Sequence, residues 1–257
     1  MMKLYFMLEG LINFLLNKSA ANIHMFNNEE NLVLSKFKQA FAPKVDFVSR
    51  ILKKIEQTLH SSATPKDNFS KYAGVILAGS CLKSLISSYD RLSKGYLTDC
   101  EALLKKSIEG FFYQAYFHEN KNEAKLWCQN NTKPKLNYYD LAVKLDKSQF
   151  ISKFFPTDYE NFFTEYIYRV GYTQSNRLAH LDFDMVHFEM GLENEDQTQF
   201  ATTMVLGPKY EFKMMKTTLN RLIMFSMFQL SLLLYITDQK GGEEYTSLFS
   251  ELKKTFL

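Results

Sequence analysis

The sequence predicts an all-α protein built as a bundle of antiparallel helices, and three observations carry that expectation. Only ten Gly and five Pro punctuate 257 residues, too few for a turn-rich β-sandwich or barrel. Apolar residues recur at three- and four-residue spacing, as in Val48, Ile51, Leu52, Ile55 and Leu59. Connections between such segments are short, which favours antiparallel neighbours. Hydrophobic residues make up 46% and charged residues 23%, an ordinary globular balance, and no compositional shift divides the chain. Residues 1–257 therefore read as a single helical domain.

Taken in order, residues 1–25 combine a lysine, an apolar stretch and small residues, which imitates a signal peptide. Glu9 and Asn13 interrupt the apolar stretch, so a peripheral amphipathic helix, or an over-long start before Met25, is the preferred reading. Asn28 with Glu29 and Glu30 marks a helix start, and Pro43 restarts or kinks that helix. Residues 61–67, SSATPKD, form a loop. From Ser70 to Ser93, Tyr72, Val75, Ile76, Gly79, Leu82, Ile86 and Tyr89 form one apolar face, with Gly79 permitting close helix approach and Gly95 as the stop.

Thr98 followed by Glu101 fits a capping box, in which hydroxyl and carboxylate satisfy free backbone donors of the first turn. The helix it opens runs to about His118 and carries Glu109. A short helix covers NEAKLWCQN, Pro134 lies in the next loop, and Asn137 starts another short helix. Pro156 and Asp158 introduce the helix that carries His180. DFDMVHFEM and QFATTMVLG alternate like strands around LENED, so a small β-hairpin is expected near residues 183–206. Pro208 opens the longest helix, to about Asp238. Its apolar run, Leu222 to Ile236, has about fifteen residues and contains Gln229, short of the about twenty that span a bilayer. A buried core helix, and no membrane partner, is the reading. Gly241 and Gly242 end it before a last amphipathic helix using Tyr245, Leu248, Phe249, Leu252 and Phe256.

A net charge of +3 is too small to identify a nucleic-acid binder. The arginines, suited to bidentate phosphate recognition, are Arg50, Arg91, Arg169, Arg177 and Arg221. Cys81, Cys100 and Cys128 lack CxxC spacing and read as reduced thiols in a cytoplasmic protein. There is no P-loop, GxGxxG, HExxH or GxSxG, so nucleotide-dependent and zinc-protease chemistries lose support and no cofactor is expected. The 23 Phe and 15 Tyr fall largely at core spacing, which favours packing over a base-stacking platform.

Two polar stripes interrupt this apolar pattern. On one predicted helix Thr98, Lys105, Glu109 and Tyr116 share a face, with Phe112 beside them. On another, Arg169, Thr173, Asn176, Arg177 and His180 align, with Tyr166 and Tyr172 at the margins. The functional reading gives His180 proton transfer, because imidazole titrates near neutrality, Arg169 or Arg177 a phosphate, and Glu109 an orienting role. The alternative makes these groups a buried network in a non-catalytic interaction or structural module, since structural ion pairs also perturb titration. His180, Asp182, Asp184 and His187 have metal-ligand chemistry, but solvated turn residues explain them better, and no metal site is assigned.

With both stripes laid out, residues 70–190 resemble the bacterial domain of unknown function 5677 family. LLKKSIEG, with Lys105 and Glu109, is similar to that family's LLRSLLE helix; HENKNEAKLW resembles its acidic segment with a Trp; Tyr172, Asn176 and His180 match Y-x-x-x-S-x-x-x-H with asparagine for serine. The family is in turn reminiscent of HEPN-type helical ribonucleases of toxin and phage-defence systems, whose arginine lies four to six residues before a histidine and whose site is completed across a dimer. The resemblance implies a defence-related or regulatory protein, RNA as partner, a homodimer, and a metal-independent RNase-like site of His180, Glu109, Arg177 and Arg169, with Lys105, Tyr172 and Asn176 binding substrate. The chain departs from that hallmark: Arg177 precedes His180 by three residues and Arg169 by eleven, about 16 Å at 1.5 Å per residue.

Overall fold

The computed structural model describes residues 2–62, 68–130, 132–148, 161–179, 210–239 and 241–256. It is all-α. No strand forms among the described residues, so the hairpin expected near 183–206 is not borne out, and its segment lies outside them.

The first helix, α1, spans Met2–Ser61 and bends where expected. Phe41 leaves the helical region at φ −122°, ψ 20°, two residues before Pro43, because proline lacks the N–H that would bond back and its ring crowds the preceding turn. Asn28 does not start a helix; it lies inside α1. Phe37, Phe47, Val48, Ile51 and Ile55 of α1 are buried.

Helix α2, Phe69–Ser93, is capped by Asn68, whose side chain accepts from the Lys71 N–H at 3.1 Å. Its buried face is not the one bulk alone predicts. Tyr72, Ile76 and Ile86 are 42%, 44% and 47% exposed, whereas Ala73, Ala78, Cys81, Leu85 and Ser88 are enclosed. Small side chains let α2 lie close against α3, Leu97–Glu119. A Cβ on Gly110 of α3 would stand 2.5 Å from the Cys81 sulfur, and one on Gly74 would stand 2.8 Å from Ile236. Gly79, expected to allow that approach, has open space beside it. Close packing favours the small-residue face even where the opposite face has larger apolar groups.

Helices α4, Lys121–Asn130, and α5, Tyr138–Asp146, fall where the sequence places them, and Asn137 caps α5 by accepting from the Asp140 N–H at 2.8 Å. Asp146, at the end of α5, then accepts the backbone N–H groups of Phe163 and Thr164 at 2.7 and 2.9 Å. That carboxylate anchors the start of a π-helix, Phe163–Thr173, which runs into α6, Gln174–Ala179.

Helix α7, Phe212–Ile236, is the core. It packs on α1, α2, α3 and the last helix, α8, Gly242–Phe256. Leu222, Ile223, Phe225, Phe228, Leu230, Leu232 and Leu233 are buried around it. It is long and apolar enough to cross a membrane, yet 83% of its most apolar window is enclosed by the rest of the chain. Gln229 is buried with it and exchanges two amide hydrogen bonds with Gln114 of α3, at 3.0 and 2.8 Å, which removes the cost of enclosing both side chains. Leu248 and Leu252 of α8 are buried as their spacing predicts.

Candidate functional site

Two carboxylates on α3, eight residues and about 80° of helix apart, organise the polar chemistry of this protein. Glu101 points inward, and Glu109 faces a half-open cluster of tyrosines and lysines.

Glu109 is half-buried. Burial pushes its carboxyl above the usual range, and the nearby Lys105 and Lys133 ammonium groups and a hydrogen bond from Tyr138 partly offset that shift. Lys105 lies one helical turn before Glu109, and its Nζ sits 5.7 Å from the centre of the Tyr172 ring. Around them the rings of Tyr138 and Tyr172 meet at 4.8 Å, Tyr113 and Tyr138 at 5.8 Å, and Tyr168 stacks on Tyr172 at 5.6 Å and 19°. Burial, reinforced by neighbouring Glu109, holds the Tyr138 and Tyr172 hydroxyls protonated well past neutrality. Helices α3 and α5 and the π-helix all contribute.

The fold thus joins Lys105, Glu109 and Tyr172, three residues singled out from sequence. Asn176 is half-buried one turn beyond, on α6, and Arg177 is exposed there. Arg169 extends toward solvent, 63% exposed, and pairs with Glu165 of its own helix at 3.0 Å. A π-helix, not an α-helix, carries the first part of the second stripe. Hydrogen bonds that close five residues apart widen the turn, so the α-helical spacing that aligns Arg169 with Asn176 and Arg177 no longer applies through Thr173. His180 lies outside the described residues, as do Asp182, Asp184 and His187. Among the described residues no group of three or more His, Cys, Asp or Glu side chains is placed to hold a metal ion.

Sequence reasoning missed the second constellation. Helix α3 begins after Tyr96, with no side-chain cap at that residue, and Glu101 does not complete the expected capping box. Its side chain, 1% exposed, instead pairs with Arg221 of α7. Thr218 donates to Glu101 Oε1 at 2.7 Å, and Ser175 of α6 donates to Oε2 at 2.8 Å while accepting from Arg221 Nη1 at 3.4 Å. Arg221 Nε is left without a hydrogen-bond partner. The readable signal was Arg221 itself, a lone cation in the apolar run LNRLIMF, where a buried charge requires a carboxylate.

The cysteines form no disulfide. Cys81 and Cys100 are buried, and burial pushes the Cys81 thiol up to about 12, so neither is poised as a nucleophile. Comparison of the chain with protein-family models, curated proteins and solved structures finds no match.

Proposed function

We propose that this is a cytoplasmic, defence-related or regulatory helical protein, related to the domain of unknown function 5677 family and to HEPN-type proteins, that acts on RNA at the Glu109 cluster without a metal. In this reading the bundle is antiparallel and pairs into a homodimer. The observation that carries it is a carboxyl shifted toward neutrality by burial, with two lysines beside it. A base works best when its proton affinity lies near the working pH, and lysines beside it oppose the charge of a phosphodiester.

Glu109 takes the proton of a ribose 2′-hydroxyl as that oxygen bonds to phosphorus. The phosphorus–O5′ bond breaks, His180 returns a proton to O5′, and the products are a cyclic 2′,3′-phosphate and a free 5′-hydroxyl. Lys105 bears on the phosphate, and the stacked Tyr168–Tyr172 pair offers an aromatic face to a base. Arg177 and Arg169 extend the contact along the backbone, and Asn176 contributes hydrogen bonds.

A second reading, a non-catalytic interaction module, draws support from the enclosure of Glu101 and Arg221 and from the Arg169–Glu165 pair. RNA cleavage by the full chain, measured beside Glu109→Gln and His180→Ala with thermal stability on all three, separates the two. The catalytic reading expects each variant to remain folded and lose activity by about 10²–10⁴-fold. Absence of cleavage by the wild type, or full activity in Glu109→Gln, overturns it.

A further inference from the structure

The last helix, α8, is lightly held. Among its described residues only Leu248 and Leu252 are buried, and the Tyr245 hydroxyl shares a hydrogen bond with that of Ser231 on α7 at 2.8 Å. We infer that α8 exchanges between two copies of this chain, each copy's α8 seating on α1 and α7 of the other, and that this exchange forms the homodimer. The inference deepens the homodimer of the proposed function and rests on that part of it.

The link between α7 and α8 is short and bends at two left-handed residues. Helix α7 ends at Ile236 and α8 starts at Gly242, with Asp238 at φ 55° and Gly242 at φ 69°. Glycine adopts that region freely, whereas a residue with a Cβ is strained there. Asp238 gains only a surface pairing with Lys71 at 3.6 Å, its own side chain 87% exposed. Gly241 is folded tightly onto the first turn of α8, since a Cβ on it would stand 2.5 Å from the Tyr245 Cβ. Straightening the link releases the strain, and a short strained hinge favours exchange over folding back.

Charge complementarity identifies the occupant of this seat. Arg50 of α1 donates through Nη2 to both carboxylate oxygens of Glu251 at 2.8 Å, and Lys54, one turn on, donates to Glu244 at 2.6 Å. Two bases on α1 thus meet two acids on α8, alongside the buried Leu248 and Leu252. The paired side chains are 21% to 56% exposed, so they add little to stability but select which helix fits. An α8 carried by a second copy brings the same acids and leucines. Exchange therefore conserves the contacts of the seat and costs chiefly the entropy of association, which the released hinge strain partly offsets. A helix opened without a partner would leave both leucines and their seat in water.

Complementation between charge-reversed full chains tests the inference, with mass read by light scattering. Arg50→Glu with Lys54→Glu defines one chain, and Glu244→Lys with Glu251→Arg the other. Alone, each chain repels its own α8 in cis and in trans; refolded together, their charges match only when α8 is exchanged. Wild type should dimerise at about 100 μM, each reversed chain at least about tenfold more weakly, and the mixture should recover a heterodimer. Inserting about eight Gly and Ser residues after Gly241 leaves the packed side chains in place and should weaken the wild-type dimer by about tenfold, because a relaxed link lets α8 fold back. A dimer unchanged by the insertion, or a mixture that associates no better than its components, overturns exchange and leaves the homodimer to another surface. A wild type that stays monomeric at about 100 μM overturns both the exchange and the homodimer. RNA cleavage at Glu109 is read separately.

Discussion

Glu101 and Glu109 occupy the same helix, two turns apart, and have opposite surroundings. Glu101 is enclosed and held by an arginine, a serine and a threonine from α6 and α7. Glu109 is half-buried, beside lysines on a turn of α3 and a loop, and among tyrosines that also serve the core. The first arrangement leaves no room for a substrate. The second leaves a half-buried carboxyl with its proton affinity raised and a hydrogen bond from Tyr138 of α5, an arrangement on which the proposed proton transfer draws.

The largest expected effect follows from breaking the enclosed pair. Arg221→Ala strands a buried carboxylate and should lower stability by about 3–5 kcal/mol in urea denaturation. Glu101→Leu combined with Arg221→Met should recover most of that loss, since apolar groups of similar size remove both charges. If the single change is as mild as a surface substitution, the enclosed pair is not the structural element and the contrast with Glu109 collapses.

An intermediate effect should appear at Glu109 as a pH dependence. Its proton affinity is higher in the folded than in the unfolded chain, so the folded state binds more protons between the unfolded value and the raised folded one. The stability this group contributes is therefore fully present below the unfolded value and is lost as pH rises through the folded value. Relative to wild type, Glu109→Gln should flatten the stability curve across that window, as urea midpoints at a series of pH values will show. A curve that keeps its slope in the variant assigns the titration elsewhere.

The smallest effect belongs to the exposed Arg169–Glu165 pair. Arg169→Ala should change stability by no more than about 0.5 kcal/mol, because an exposed i,i+4 pair gains little over its hydration. A loss several times larger in a thermal melt would show that Arg169 holds the π-helix in place.

The sequence determined the helical class, the break near Pro43, the caps at Asn137 and the burial of Leu248 and Leu252, because these follow from local backbone chemistry and from apolar spacing within one element. It also joined Lys105 to Glu109, one turn apart on a regular α-helix, where spacing is reliable. Tertiary structure decided the rest. Which face of α2 is buried depends on how closely α3 approaches, so small residues displaced the bulkier Tyr72, Ile76 and Ile86 to the outside. The partner of Glu101 lies 120 positions along the chain, beyond any local motif, and a carboxylate that could cap its own helix is drawn inward by a buried arginine. The π-helix changed the period on which the second stripe was read, and periodicity taken from sequence assumes the very turn that packing is free to alter.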